Sequence, residues 1–167
     1  FYRKEPVDGR ITAVAFADLL LAYAGLPDKI QTRMMRRVKK KFKGSTRYFF
    51  TLQFYRKEPV DGRITAVAFA DLLLAYAGLP DKIQTRMMRR VKKKFKGSTR
   101  GITLEEFIKF SRFLKNITDV DTALTFYHMA GASVDPPTLQ HVAKTVAHVD
   151  LEDYVVDVVF TLFDENH

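Results

Sequence analysis

Residues 1–47 recur without a single change as residues 54–100, and only Tyr-Phe-Phe-Thr-Leu-Gln at 48–53 separates the copies. Any fold for this chain must therefore place the same segment twice. The units of a working repeat array diverge, because each fills a different neighbourhood, and a solenoid needs about three or more of them. Two identical copies instead indicate a recent duplication of one segment, or an artefact of assembly. The repeat also divides the charge. Each copy carries twelve Lys and Arg against four Asp and Glu, whereas the remaining residues carry four against eleven. A basic front is joined to an acidic end within a net charge of +9. That imbalance bears on association and not on fold.

Hydrophobic residues make up 47% of the chain, and fourteen Phe with seven Tyr supply a core, so disorder is not expected. The longest apolar run, at 14–24, carries Asp18 and falls short of the roughly 18–20 residues that cross a bilayer. It reads as a buried helix. With no cysteine, neither a disulfide framework nor a thiolate metal site is available. The chain opens at Phe1 with no targeting segment and stops after Asp164-Glu-Asn-His167, so both edges read as cuts in a longer protein.

Helical periodicity runs through the rest. Residues 13–24 read as a helix, with Gly25 as its stop and Pro27 just beyond. Residues 28–43 read as a second, with Ile30, Met34, Val38 and Phe42 on its inner stripe. The same pair is expected at 66–77 and 81–96. Thr103 with Glu106 fits a capping box, in which the hydroxyl and the carboxylate satisfy each other's free backbone N–H. That helix carries Phe107, Phe110, Phe113 and Leu114 and ends near Asn116. Another is expected from a cap at Thr118 or Asp119 to Met129, then one from Pro136 to about His148, and a last from Asp150 to Phe163. Strands are confined to pieces of two or three residues.

The informative short motif is Val-Asp-Gly-Arg-Ile-Thr, at 7–12 and again at 60–65. A twelve-residue EF-hand loop needs Gly at its sixth position and an apolar residue at its eighth, where it pairs with the neighbouring loop. Gly9 and Ile11 fit, as do Gly62 and Ile64. The ligand positions fail. First, third, fifth and twelfth are Lys4, Pro6, Asp8 and Ala15 in the first copy, with Asp61 as the corresponding carboxylate of the second. Calcium needs oxygen ligands at the first, third and fifth positions and a bidentate Glu at the twelfth. Ile102 fits the eighth position of a partner loop whose twelfth is Glu106, but Phe95, Gly97 and Thr99 are poor ligands. Val134 fits the eighth position of a third degenerate loop. Asp164 and Asn166 alone open a loop correctly, as first and third ligands of an incomplete terminal EF-hand. The fold class expected is all-α, built of paired EF-hand-like helix–loop–helix units with degenerate loops.

Several stretches resemble one family closely: Asp-Gly-Arg-Ile-Thr at 8–12, Leu-Leu-Ala-Tyr-Ala-Gly at 20–25, Phe-Leu-Lys-Asn-Ile at 113–117, Asp-Val-Asp-Thr-Ala-Leu at 119–124, Phe-Tyr-His-Met-Ala-Gly-Ala-Ser at 126–133 and Val-Asp-Val-Val-Phe at 156–160. They resemble the mitochondrial calcium uptake family, the EF-hand gatekeepers of the mitochondrial calcium uniporter. The likeness covers residues 54–167, with 1–47 as an extra copy. It implies a regulatory subunit peripheral to the inner membrane, on its intermembrane-space side, that holds the channel shut at low calcium. It implies uniporter channel subunits and a homo- or heterodimer as partners. Calcium in the family is held by a first and a last hand flanking degenerate middle ones, and the present residues match the middle and the opening of the last.

Residues 29–43 and their copy form a basic helix. Arg86, Arg89, Arg90, Lys92, Lys93, Lys94 and Lys96 of the second copy are candidate contacts for anionic inner-membrane lipid or an acidic partner, the alternative being a solvated outer face. No DNA- or RNA-binding module is present, so nucleic acid is not an expected partner. His141 and His148 are too few and too widely spaced for zinc. The acid pairs Glu105-Glu106 and Glu152-Asp153 belong in first helical turns, where they stabilise the macrodipole rather than carry out catalysis. An enzyme is not expected. Residues 54–167 are expected to form the EF-hand-like domain and residues 1–53 a loosely docked duplicate hairpin. A non-sensing structural adaptor is the competing function.

Overall fold

In a computed structural model, the described residues are 46–75, 79–132 and 134–163. The expectations for the first copy, including Asp8, Gly9, Ile11 and its loose docking, lie outside them. So does the terminal loop with Asp164 and Asn166.

Seven helices and one two-stranded ladder make up the described elements. In chain order these are α1 (Thr46–Tyr55), β1 (Arg63–Ile64), α2 (Ala66–Leu74), α3 (Asp81–Lys94), β2 (Ile102–Thr103), α4 (Leu104–Lys115), α5 (Ile117–Met129), α6 (Pro136–Val146) and α7 (Asp153–Phe163). The all-α expectation holds, and the strands are as short as expected. α1 with α2, and α3 with α4, form two helix–loop–helix units, and antiparallel β1 and β2 join them. Ile64 faces Ile102 and Arg63 faces Thr103 across the ladder, so the two eighth-position residues meet.

α1 runs through the stretch that the sequence presents as a spacer between copies, and ends two residues into the second. It is the entering helix of the first unit and packs against α4. Aromatic side chains explain why. Phe107 of α4 lies 6.0 Å from the rings of both Phe50 and Phe54, and 6.1 Å edge-on from Phe69 of α2. Edge-to-face and tilted arrangements of this kind add about 0.5–1.5 kcal/mol per pair beyond the area buried. One continuous core extends from these rings to α7, whose Val155, Val156, Val158, Val159 and Leu162 are buried. α7 lies against α2, α3 and α6.

The capping box read from the sequence is present, two further side-chain caps accompany it, and several helix ends differ from those expected. Thr65 accepts from the Ala68 N–H at the start of α2, the Thr103–Glu106 capping box is complete, and Asp135 accepts from the Thr138 N–H ahead of Pro136. α5, however, begins at Ile117 and not after a Thr118 or Asp119 cap. Its N-cap is Asn116, whose side chain instead donates to the Arg112 carbonyl. Burial of Ile117 and Val120 fixes that start, because both must face the core. α7 begins at Asp153 rather than Asp150. Just before it, Leu151 is buried and its carbonyl accepts from the Gln140 amide. α6 ends at Val146, two residues early, and His148 takes a φ of 55° as the chain turns.

Gly101 controls the ladder. Its φ is 63°, and an added Cβ would stand 2.9 Å from the Arg63 Cβ and 3.0 Å from the Ile64 carbonyl oxygen. Backbone cannot give way there as a flexible side chain could. Gly101→Ala is expected to cost about 1–3 kcal/mol through strain at this φ and loss of the ladder. Urea denaturation of the two proteins measures it, and an unchanged midpoint would contradict the account.

Candidate functional site

The two paired loops, residues 57–68 and 95–106, are where an EF-hand would hold calcium. In the first, Val60 and Arg63 exchange both backbone hydrogen bonds, at 2.9 and 3.0 Å, around Asp61 and Gly62. Those two residues have φ of 51° and 73°. A two-residue turn with positive φ at both positions is of the I′ kind that Asp-Gly favours. The sharp bend is therefore present, and Ile64 emerges from it buried at the eighth position. At the first position, the Lys57 ammonium is ion-paired with Asp71 of α2. Pro59 stands third and Ala68 twelfth, which leaves the exposed Asp61 carboxylate as the lone acid among the four. This loop does not fit calcium.

The second loop contains the acid that a calcium loop requires. Glu106 is at the twelfth position, where a carboxylate would clasp the metal with both oxygens. Here both oxygens are taken by Arg100, at the sixth position of the same loop. Arg100 Nη2 donates to Glu106 Oε1 at 2.8 Å and Nη1 to Oε2 at 3.1 Å. The Thr103 N–H also donates to Oε2, at 3.0 Å. Arg100 Nη1 reaches the Gly101 carbonyl at 2.6 Å, and the guanidinium lies 4.8 Å from the centre of the Tyr154 ring. A cation thus sits on the twelfth-position Glu, but it belongs to the chain. Bidentate guanidinium–carboxylate pairing is the strong, directional form of the charged hydrogen bond.

The electrostatics agree. Partial burial works to raise the Glu106 carboxyl, yet the hydrogen bonds from Arg100 and from the Thr103 backbone, with the charges of Arg100 and Arg63, outweigh it. The carboxyl is held below the ordinary carboxylate value. The Arg100 guanidinium is raised, chiefly by its hydrogen bond to Glu106. Sequence reasoning assigned Glu106 to the capping box, which is correct, and missed Arg100. The available signal was a basic residue at the sixth position, where a calcium loop carries Gly.

α7 closes over this loop. Phe95 meets the Tyr154 ring edge-on at 5.5 Å, and the Ser98 and Tyr154 hydroxyls are 3.1 Å apart. From α3, Arg90 Nη2 donates to the Leu162 carbonyl at 2.8 Å and Lys94 pairs with Asp157 at 2.6 Å. Two of the candidate lipid or partner contacts, Arg90 and Lys94, therefore face α7. Arg86, Arg89, Lys92, Lys93 and Lys96 are exposed. Inner-stripe residues Met87 and Val91 are buried, flanked by half-buried Ile83 and Phe95. In the third loop, Val134 is fully buried at its eighth position. Among the described residues, no group of three or more His, Cys, Asp or Glu is arranged to hold a metal ion.

The chain is 45% identical to human calcium uptake protein 1, mitochondrial, over 166 residues, which is 98% of this chain and 34% of that one. By sequence it is a relative of calcium uptake protein 1. The bovine protein of that name is 58% identical over 113 residues, covering 68% of this chain and 23% of its own. The Caenorhabditis elegans homologue of calcium uptake protein 1 is 46% identical over 119 residues, covering 69% and 22%. The chain thus spans about a third of the length of the human relative. No family model matches it. The fold resembles a crystal structure of EFHA2 in its Ca-binding state, with a TM-score of 0.62 at 24% identity over 70% of this chain and 35% of that one. That likeness makes the fold EF-hand-like.

Glu106→Gln should expose the Arg100 lock in solution. The Glu106 carboxyl is depressed in the folded state, so its contribution is present above its unfolded value of about 4.3 and is lost as pH falls through the folded value. At neutral pH the substitution is expected to cost about 1–2 kcal/mol, between an exposed ion pair and a buried charged hydrogen bond. It should also flatten the fall in stability below about pH 4.5. Thermal melts from pH 7 to pH 3 read both effects, and parallel curves for the two proteins would refute the lock.

Proposed function

We propose that the chain is a member of the mitochondrial calcium uptake family and acts as part of a calcium-regulatory, gatekeeping subunit of the uniporter complex, on the intermembrane-space side of the inner membrane. The observation that carries the reading is the 45% identity to human calcium uptake protein 1 along 98% of this chain. The loop geometry refines it. Residues 57–68 and 95–106 keep the ladder of an EF-hand pair, while Lys57 stands at the first ligand position of one loop and Arg100 is the cation paired with the twelfth-position Glu of the other. Such a pair serves as a fixed scaffold. Its helix angles do not depend on calcium, and sensing falls to other loops, Asp164 and Asn166 being the first and third ligands of one of them. No catalytic role is proposed: an EF-hand-like regulator is not an enzyme.

The partners proposed are the uniporter channel subunits and a second family member. For the second, α5 offers Phe126 and Met129, one helical turn apart and 66% and 75% exposed. Large apolar side chains left in water at that spacing suit a dimer surface.

A calcium titration followed by amide chemical shifts should leave residues 57–68 and 95–106 unmoved at millimolar metal. Saturable shifts there would overturn the scaffold role. The regulatory role is tested by affinity purification of the full-length protein from mitochondria with and without calcium. Co-purification of a calcium channel, changing with calcium, is expected. Its persistent absence would favour the competing adaptor reading, in which the basic helices hold a structure together without any link to calcium.

A further inference from the structure

α3 divides its cations between two jobs. Arg90 and Lys94 turn to one side and hold α7. Lys82, Arg86, Arg89 and Lys93 are spaced four, three and four residues apart, which aligns them along the face of α3 opposite buried Met87 and Val91, and Lys96 follows in the turn just beyond the helix. Lys92 stands beside them. All six are exposed, and none forms an ion pair with a described residue. At about 1.5 Å per residue the helical part of the row, from Lys82 to Lys93, is roughly 16 Å long. The acid on α3 is Asp81, in its first turn. Like charges three and four residues apart repel and weaken a helix. The row therefore opposes folding unless something negative lies over it.

We propose that this face of α3 docks on an anionic phospholipid surface. The choice of a membrane over an acidic protein follows from what the row lacks. Protein interfaces draw their affinity from aromatic and apolar anchors buried at the centre, with charges at the rim. Between these cations stands only exposed Thr85, so there is no anchor. A bilayer needs none: its delocalised headgroup charge attracts each nearby Lys or Arg without geometric matching. Lysine, a compact and strongly hydrated charge, suits contact that stops at the headgroups. No helix among the described residues is long and apolar enough to cross a membrane. The docking is independent of any calcium response.

The first copy repeats the same residue types at Lys29, Arg33, Arg36, Lys40 and Lys43, so the test must tell the copies apart. Full chain is sedimented with phosphatidylcholine vesicles rich in phosphatidylglycerol, and with pure phosphatidylcholine vesicles. Three variants are compared: Lys82→Gln/Arg89→Gln/Lys93→Gln on the row, Lys29→Gln/Arg36→Gln/Lys40→Gln in the first copy, and Arg56→Gln/Arg112→Gln/Lys144→Gln at exposed sites off the row. Circular dichroism confirms that each is folded. Binding is expected on the anionic vesicles alone, and to vanish at molar salt, where screening shortens to about 3 Å. Loss of three near-surface charges from the row should weaken partition about a hundredfold, with a much smaller effect off it. Equal loss from the off-row variant would reduce the result to net charge and overturn the proposal. Loss confined to the first-copy variant would overturn it for α3. So would binding to an acidic protein with none to vesicles.

Discussion

Two helix hairpins are held at a fixed angle by a ladder only two residues long. Ile64 and Ile102 meet at its centre, both buried, and the exchange between their strands fixes the register of everything that follows. So small a sheet is stable only because side chains seal it. Phe107 gathers Phe50, Phe54 and Phe69 around one end, and Gly101 admits the opposing strand without a Cβ in the way. Had the register slipped by one residue, both isoleucines would have turned towards solvent.

In a metal-binding hand the loop is drawn together by an ion that joins its first and last positions. Here the same closure is achieved within the chain. Arg100 reaches Glu106 across the second loop, and Lys57 reaches Asp71 beyond the end of the first. A guanidinium cannot leave when calcium falls. The consequence is a loop that keeps an EF-hand's ladder while its twelfth-position acid is already paired within the chain. Closure of the second loop also reaches α7, since Arg100 rests on Tyr154 and Lys94 holds Asp157. α7 is thus braced by the second loop and by the end of α3.

Much of this was legible in the residues. Asp61-Gly62 with Ile64 announced the bend and the ladder, because only a few residues tolerate positive φ and the eighth position must be apolar to pair. Thr103 with Glu106 announced the helix start, because the reciprocal hydrogen bonds are local. Met87 and Val91 announced the inner face of α3 by their period. The parts that were missed depend on distance. α1 was hidden because Phe50 and Phe54 make a helix there only by meeting Phe107, more than fifty residues away. The start of α5 was misplaced because Ile117 enters the core, and burial outweighed the capping preference of Thr118 and Asp119.

The sequence by itself determined the class of fold, the degenerate character of the loops and the family resemblance, since turn chemistry, capping and hydrophobic period are all set by neighbours along the chain. Only the tertiary structure decided what the charges do. Seven basic residues of α3 and its following turn look alike in sequence, yet Arg90 and Lys94 brace α7 while the others face water with Lys82. Arg100 likewise became the cation of the second loop only when folding set it opposite Glu106 and over Tyr154. A charge takes its role from the partner that folding places within a few ångströms of it.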